Sequence, residues 1–556
     1  MSERRATPID RIAEDWVDVL VDLSPDVAIW LGRPGRLSDF GDLSPAGIDA
    51  HDDAARTFIA RLEVADPLDD VDRVTKTDLL SDLRLALELT EAGWPYRDVN
   101  VIASPAQEIR ESFDLLPSDS DDDWATIAAR MSNVPDAIAG YIETLRVGMS
   151  RRLVPARRQV VETADQARDH SDPLGFFFDL ARGATREDGT DLPASLVADL
   201  RRGAERAADA YADLARFLDR ELAPVAAEDD AVGRELYGIH SRHFLGSTVD
   251  LDETYEWGIE ELIRAIAEQE ATADQIVAGG SVADAVAALD ADPARRLHGT
   301  DSLRAWMQEL SDAAVSALAG THFTIPEPVR ALECLIAPTQ TGGIYYTGPS
   351  DDFSRPGQMW WSVPSGVTEF ATWRETTTVY HEGVPGHHLQ VGQAVYNRDS
   401  LNTWRRQLSG TSGHAEGWAL YAERLMAELG FLDDPADRLG MLDGQRMRAA
   451  RVVVDIGVHL KKPQPDGQGI CDATWALRFM QENAHMDDAS VRFEVNRYLG
   501  WPGQAPSYKV GQRLWEELRV ESARREGAAF SLPDYHARVL DIGGVGLDTL
   551  RNAVLG

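Results

Sequence analysis

Helix after helix is what this sequence leads one to expect, with a single small β-element inserted after residue 331. Three observations carry that expectation. Apolar residues recur three and four apart through the first 330 positions. From 332 to 363 the pattern gives way to short runs rich in Ile, Tyr and Trp between Gly/Pro turns. Helical spacing then returns and holds to the end of the chain.

Taken in order, Trp124, Ile127, Met131, Val134, Ile138, Ile142 and Leu145 form a first buried stripe, with Pro135 inside it expected to kink or break the helix. Leu196, Leu200, Ala207, Tyr211, Leu214 and Leu218 form a second, closed off before Pro224. Tyr255, Ile259, Leu262, Ile263 and Ile266 form a third, ending at Gly279-Gly280, where glycine can take the left-handed cap. The acid-rich segment 118–123 reads as a solvated loop and helix start. Segments 332–336, 343–346 and 359–363 read as strands, and an exposed edge among them could take a peptide by backbone pairing. Residues 368–380 should then be helical and deliver His381. Later helices are expected to break at 461–469 and at 499–506. The chain divides on this reading into an N-terminal helical region, 1–330, and a region carrying the chemistry, 331–556; the two could equally form one continuous domain.

Charge narrows the classes of partner. With 93 acidic against 55 basic residues the net charge is −38, which disfavours nucleic acid and anionic membrane, since both need a basic footprint. Residues 1–10 contain no apolar leader segment, and no apolar run is long enough to cross a bilayer. Cys334 and Cys471 make no disulfide framework. The expectation is an acidic, soluble, cytoplasmic protein.

Chemistry concentrates at 381–388, where His381, His387 and His388 account for three of the 13 histidines and Glu382 follows the first directly. Imidazoles to hold a metal and a carboxylate to move protons are the parts of a hydrolytic zinc site. The usual helical arrangement puts two histidines four apart on one face, but here the fourth position after His381 is Pro385. In a straight helix His387 would point about 240° around the axis, and His388 would sit about 10 Å along it. A break at Pro385-Gly386 is therefore needed to bring a second imidazole back to His381. His387 is the preferred partner and His388 the alternative.

The stretch 381–390, His-Glu-Gly-Val-Pro-Gly-His-His-Leu-Gln, resembles the signature of the bacterial "domain of unknown function 885" family, which is similar to gluzincin-type metallopeptidases such as carboxypeptidase Taq, thimet oligopeptidase and angiotensin-converting enzyme. Segments 124–158, 355–357, 451–459, 497–498 and 502–509 look like it as well. The resemblance implies a two-lobed helical fold around a deep central cleft, with 1–330 as one lobe and cleft wall, one zinc ion per chain, and peptide hydrolysis.

In that frame His381, His387 and Glu416 would hold Zn²⁺, or Mn²⁺ or Co²⁺ in the same donors, and Glu382 would shuttle the proton. Tyr508 is the first candidate donor to the oxyanion, followed by His459 and Tyr498. Arg497 or Lys509 would hold a substrate carboxylate, and Tyr498 and Trp360 are further candidates for substrate contact. Asp455 and His459, four apart on an expected helix, would form a carboxylate–histidine pair behind the site, with His414 capping its helix or packing there too. The function expected is zinc-dependent hydrolysis of short peptides by an exopeptidase or oligopeptidase. A non-catalytic peptide- or metal-binding protein and a metal-dependent amidase of a small non-peptide substrate are the alternatives.

Overall fold

The structure, a computed structural model, describes residues 4–337 and 343–556. It is mainly α-helical. Helix α1, Asp121–Arg151, starts at a capping box in which the Ser120 side chain accepts from the Asp123 N–H and the Asp123 carboxylate accepts from the Ser120 N–H. All seven residues of the first predicted stripe are buried. Pro135 does not break this helix. Met131, Val134 and Ile138 on either side share one core with α2, Ala194–Phe217, and that packing carries the helix past the missing backbone donor.

Helix α3, Leu251–Ile276, buries Tyr255 and Leu262 but leaves Ile263 62% exposed, so the predicted stripe there was one residue too wide. Gly279, just beyond the helix, takes φ +70°. Arg296–His298 (β1) pairs antiparallel with Glu369–Ala371 (β5), a ribbon the sequence reading missed. Leu332–Ile336 (β2), Ile344–Thr347 (β3) and Gly357–Trp361 (β4) make the expected β-element, in the order β2-β4-β3. The pair β2/β4 is parallel and β3/β4 antiparallel. Trp360 thus lies on the central strand, and the edges belong to β2 and β3.

The next helix, α4, is Thr372–Glu382; β5 takes the first residues of the segment expected to be helical. His387–Tyr396 (α5), Ser412–Glu428 (α6), Pro435–His459 (α7) and Gln504–Glu526 (α8) follow. The predicted interruptions fall where α7 ends at His459 and where Trp501 to Gly503 precede α8. Helix α4 lies against α6 and α7, α3 against α7, and α6 against α8. Trp418, Tyr421, Val452, Val453 and Trp515 are buried at the centre of this bundle. A separate core, from Ile29 to Ala226, is built around α1 and α2. Among the described residues no helix is long and apolar enough to cross a membrane.

Candidate metal centre

Three turns of sequence logic build the centre. The first is the end of α4, whose buried face carries Trp373, Thr377, Tyr380 and His381. The second is the reversal at 383–386, which includes a cis Val384–Pro385 peptide bond. The Gly386 N–H donates to the Tyr380 carbonyl at 3.1 Å, so the chain doubles back onto the last turn it has just left. A Cβ at Gly386 would fall 1.9 Å from the His381 carbonyl oxygen, an approach only glycine permits. Trp418 of α6 pins the bend by donating its Nε1–H to the Pro385 carbonyl at 2.9 Å. The third is α6, capped by the Thr411 side chain, which brings Glu416 up beside both histidines.

The His381 and His387 rings stand perpendicular, 4.9 Å apart. Donor atoms of His381, Glu382 and His387 all lie within 4.8 Å of one another. Glu416 Oε2 lies 3.3 Å from His381 Nε2 and 3.6 Å from His387 Nε2. That oxygen is buried and has no hydrogen-bond partner among the described residues. Two ligands bound at about 2.05 Å across a tetrahedral angle sit about 3.3 Å apart, so Glu416 Oε2 lies from each imidazole nitrogen at about the spacing of two ligands sharing an ion of zinc's size. An orphaned buried carboxylate oxygen faced by two imidazole nitrogens fits a divalent cation.

Electrostatics agree with the geometry. Burial pulls the His381 pKa down, but Glu416 and Glu423 outweigh it and raise it to about 10. Burial pushes Glu416 up, yet His381 and His387 hold it well below the carboxylate range. Glu382 is raised by burial against the pull of the two imidazoles, the direction expected of a carboxylate that must accept a proton near neutral pH.

His388, the alternative second histidine, is excluded as a ligand. Its Nε2 lies 2.7 Å from the Val329 carbonyl, which can only accept, so Nε2 carries the proton. Nδ1 then accepts from the Tyr346 hydroxyl at 2.9 Å, and both nitrogens are spent. The ring ties α5 to β3. A Cβ at Gly357 would meet His388 Nδ1 and Tyr346 Oη at 2.4 Å, which is why glycine follows Arg355-Pro356.

The carboxylate behind the histidine is Glu423, which sequence reasoning did not single out. Its Oε1 lies 2.8 Å from His381 Nδ1, and its Oε2 accepts from Thr377 at 2.7 Å. Glu423 follows Glu416 by two helical turns on the same face of α6, and that spacing was the available signal. Asp455 and His459 do face each other as expected, Nε2 to Oδ1 at 3.8 Å, but the hydrogen bonds of both go elsewhere in the fold. Asp455 accepts from Tyr237 at 2.6 Å and from the Gly503 N–H at 2.9 Å, anchoring the start of α8. His459 Nε2 lies 3.1 Å from the Tyr498 carbonyl and Nδ1 faces the Val232 N–H at 3.4 Å, which leaves it no donor for an oxyanion. His414 does not cap α6 either. It packs on Trp515, its Nδ1 facing Gln390, and burial lowers its pKa to about 3.

Other candidates prove committed elsewhere. Tyr498 donates to Glu494 at 2.5 Å and accepts from Arg451 at 2.7 Å. Arg497 is held by Glu494 and Gln504. Lys509 is buried against Glu261 at 2.7 Å, with Gln445 and Gln512. Trp360 stacks on Tyr345 at 6.2 Å. Tyr508 alone among the three oxyanion candidates keeps its hydroxyl free of partners among the described residues. Burial raises its pKa, and so does the charge of Glu416, which marks it as a neighbour of the centre.

Arg448, also unanticipated, completes the surroundings. It projects from α7 toward the Tyr508 ring, 5.8 Å from its centroid, and its positive charge acts on Glu382 and Glu423. Its guanidinium has no ion pair or hydrogen bond among the described residues, and its Nε is buried.

Fold and donor set together define a mainly helical protein with two histidines and a glutamate converging on one candidate metal position. The chain belongs to the family described as "Bacterial protein of unknown function (DUF885)", whose model matches residues 25–554. Among solved structures, a "putative lipoprotein" of Colwellia psychrerythraea matches with a TM-score of 0.83 at 21% identity, covering 99% of each chain. A second, of unknown function, from Shewanella oneidensis matches at 0.74 and 18% identity, over 99% of this chain and 100% of that one. These likenesses establish the fold. A Pyrococcus furiosus carboxypeptidase reaches a TM-score of only 0.38 at 12% identity, over 100% of this chain and 97% of that one, too low to support an argument. No curated protein matches the sequence.

Proposed function

We propose that the protein is a divalent-metal hydrolase, with zinc the natural ion, that cleaves peptide bonds in short peptides. One observation carries the reading: the unpartnered, buried Glu416 Oε2 faces the Nε2 atoms of His381 and His387 at ion-spanning distances. The resemblance of 381–390 to the signature of a family that is itself similar to gluzincin-type peptidases points the same way. A bound ion would supply Lewis acidity toward a water molecule and the scissile carbonyl.

The chain's own residues do the rest. Glu423 accepts the His381 Nδ1–H, which fixes the tautomer that leaves the Nε2 lone pair facing the centre. Glu382 takes the proton from the attacking water on its carboxylate and returns it to the departing amine. The Tyr508 hydroxyl donates to the oxyanion as it forms. Arg448, rather than Arg497 or Lys509, is the cation among these three with no partner among the described residues, free to engage a substrate carboxylate, which argues for peptides with a free carboxyl end. The cytoplasm remains the proposed compartment, on the strength of two buried, unbridged thiols, Cys334 and Cys471.

Elemental analysis joined to a chelator-reversible assay on free-ended and amidated peptides tests this reading. One ion per chain and hydrolysis favouring free carboxyl ends are expected, with Arg448→Ala abolishing that preference. Metal without turnover on any peptide would leave a binding protein in place of an enzyme.

A proton count offers a second check. Without metal, Glu416 and Glu423 raise the His381 pKa and favour the protonated ring at neutral pH, so an incoming cation must compete with that proton. Zinc binding near neutral pH should therefore release protons, and affinity should climb as pH rises. Calorimetric enthalpies in buffers of different ionisation heat measure the release; a slope of zero would contradict the assigned ligand set.

A further inference from the structure

A cavity of about 420 Å³ lies apart from the metal centre, and none of the centre's residues lines it. It opens between the helices Pro45–Val64 and Asp70–Glu91, the 94–105 segment and α1. Its size falls within the roughly 300–1,000 Å³ range of small-molecule pockets. Apolar side chains make up most of the wall, with the rings of Trp16 and Trp94 among them. The acidic lining residues are Asp42, Asp52, Asp82 and Asp98, of which burial pushes Asp98 well above the carboxylate range, and no Lys or Arg lines the cavity.

Three of these carboxylates are occupied. Asp42 accepts from the Ser44 N–H at 2.9 Å, Asp52 pairs with Arg56 at 3.2 Å, and Asp98 accepts from Asn100 at 3.1 Å. Asp82 has neither a hydrogen bond nor an ion pair among the described residues. Its side chain is exposed to solvent on the cavity wall, and desolvation by the surrounding chain, with the charge of Asp78, pushes its pKa up to about 7. His51, which also lines the cavity, is pulled down by burial and supplies no countercharge at neutral pH. Trp16 adds an independent sign: it is 5% exposed, and its buried Nε1–H has no acceptor. A polar group left unpaired inside a protein is unfavourable unless something arrives to pair it.

We propose that this cavity binds a small organic cation, its ammonium paired with Asp82 and its ring-bearing body, carrying an oxygen acceptor for Trp16, laid against Trp16 and Trp94. Carboxylates attract the ammonium, aromatic faces favour it further, and the same field repels anions. The site stands independently of the hydrolase reading.

Isothermal titration with three molecules of one shape tests it: tyramine as the cation, 4-ethylphenol as the neutral form and 3-(4-hydroxyphenyl)propionate as the anion. Tyramine is expected to bind at least about tenfold more tightly than 4-ethylphenol, with no binding of the anion. Asp82→Asn should erase the tyramine advantage and leave 4-ethylphenol unchanged. Ala86→Trp, which fills the cavity from the same helix, should abolish both and serves if the first variant does not fold. Tyramine binding should persist in chelator. Equal affinity for cation and neutral form, full tyramine binding by either folded variant, or loss of binding on chelation would overturn the proposal.

Discussion

Glu382→Gln is expected to keep its metal and lose hydrolysis by about two to four orders of magnitude. The carboxamide has nearly the same shape and sits in the same buried position, but it cannot accept and return a proton. His381→Ala should behave differently and lose metal as well, because it removes one of the two imidazoles facing Glu416 Oε2. It would also leave Glu423 without its main partner inside the protein. Metal content by elemental analysis and turnover on a peptide panel separate the two variants. Undiminished hydrolysis by Glu382→Gln would remove Glu382 from the mechanism.

Gly386→Ala is the second large effect. Its Cβ would have to occupy space 1.9 Å from the His381 carbonyl oxygen and 2.5 Å from that of Tyr380, both backbone atoms that cannot step aside. The reversal must open, and His387 swings away from His381. Several kcal/mol of stability, on the order of 3 or more, should be lost together with metal binding. Gly183→Ala is the matched control, since nothing lies within 4 Å of its added methyl. Thermal unfolding and metal stoichiometry read the contrast; an unaltered metal content in Gly386→Ala would mean that the bend does not set the ligand geometry.

What could be read from the sequence was whatever depends on neighbours along the chain. The stripe from Trp124 to Leu145 declared its helix, and the strands at 332–336, 343–346 and 359–363 were found within two residues of their bounds. The need for a reversal at Pro385-Gly386 followed from helical geometry alone. Pro135 misled because propensity is local, whereas the helix survives through burial against α2. Ile263 misled because spacing alone does not give the width of a buried face. Partners set by packing between distant segments were harder still. Asp455 and His459 do face each other, as their spacing allows, but Asp455 is bonded to Tyr237 and Gly503 and His459 to the Tyr498 carbonyl, and the carboxylate behind His381 is Glu423. Lys509 and Arg497 had suitable charge, and only the fold reveals that Glu261 and Glu494 already use it. Arg448 carried no motif at all; it stands out because a folded environment leaves it alone.

The tether from His388 to Val329 and Tyr346 has a consequence for mutational scanning. Two imidazoles adjoining in the chain are divided between facing the candidate metal position and bolting a helix to a sheet. A screen scored on turnover alone would count both as essential and suggest interchangeable partners. Neither can deputise for the other, because consecutive helical positions point about 100° apart and His388 is held by Val329 and Tyr346.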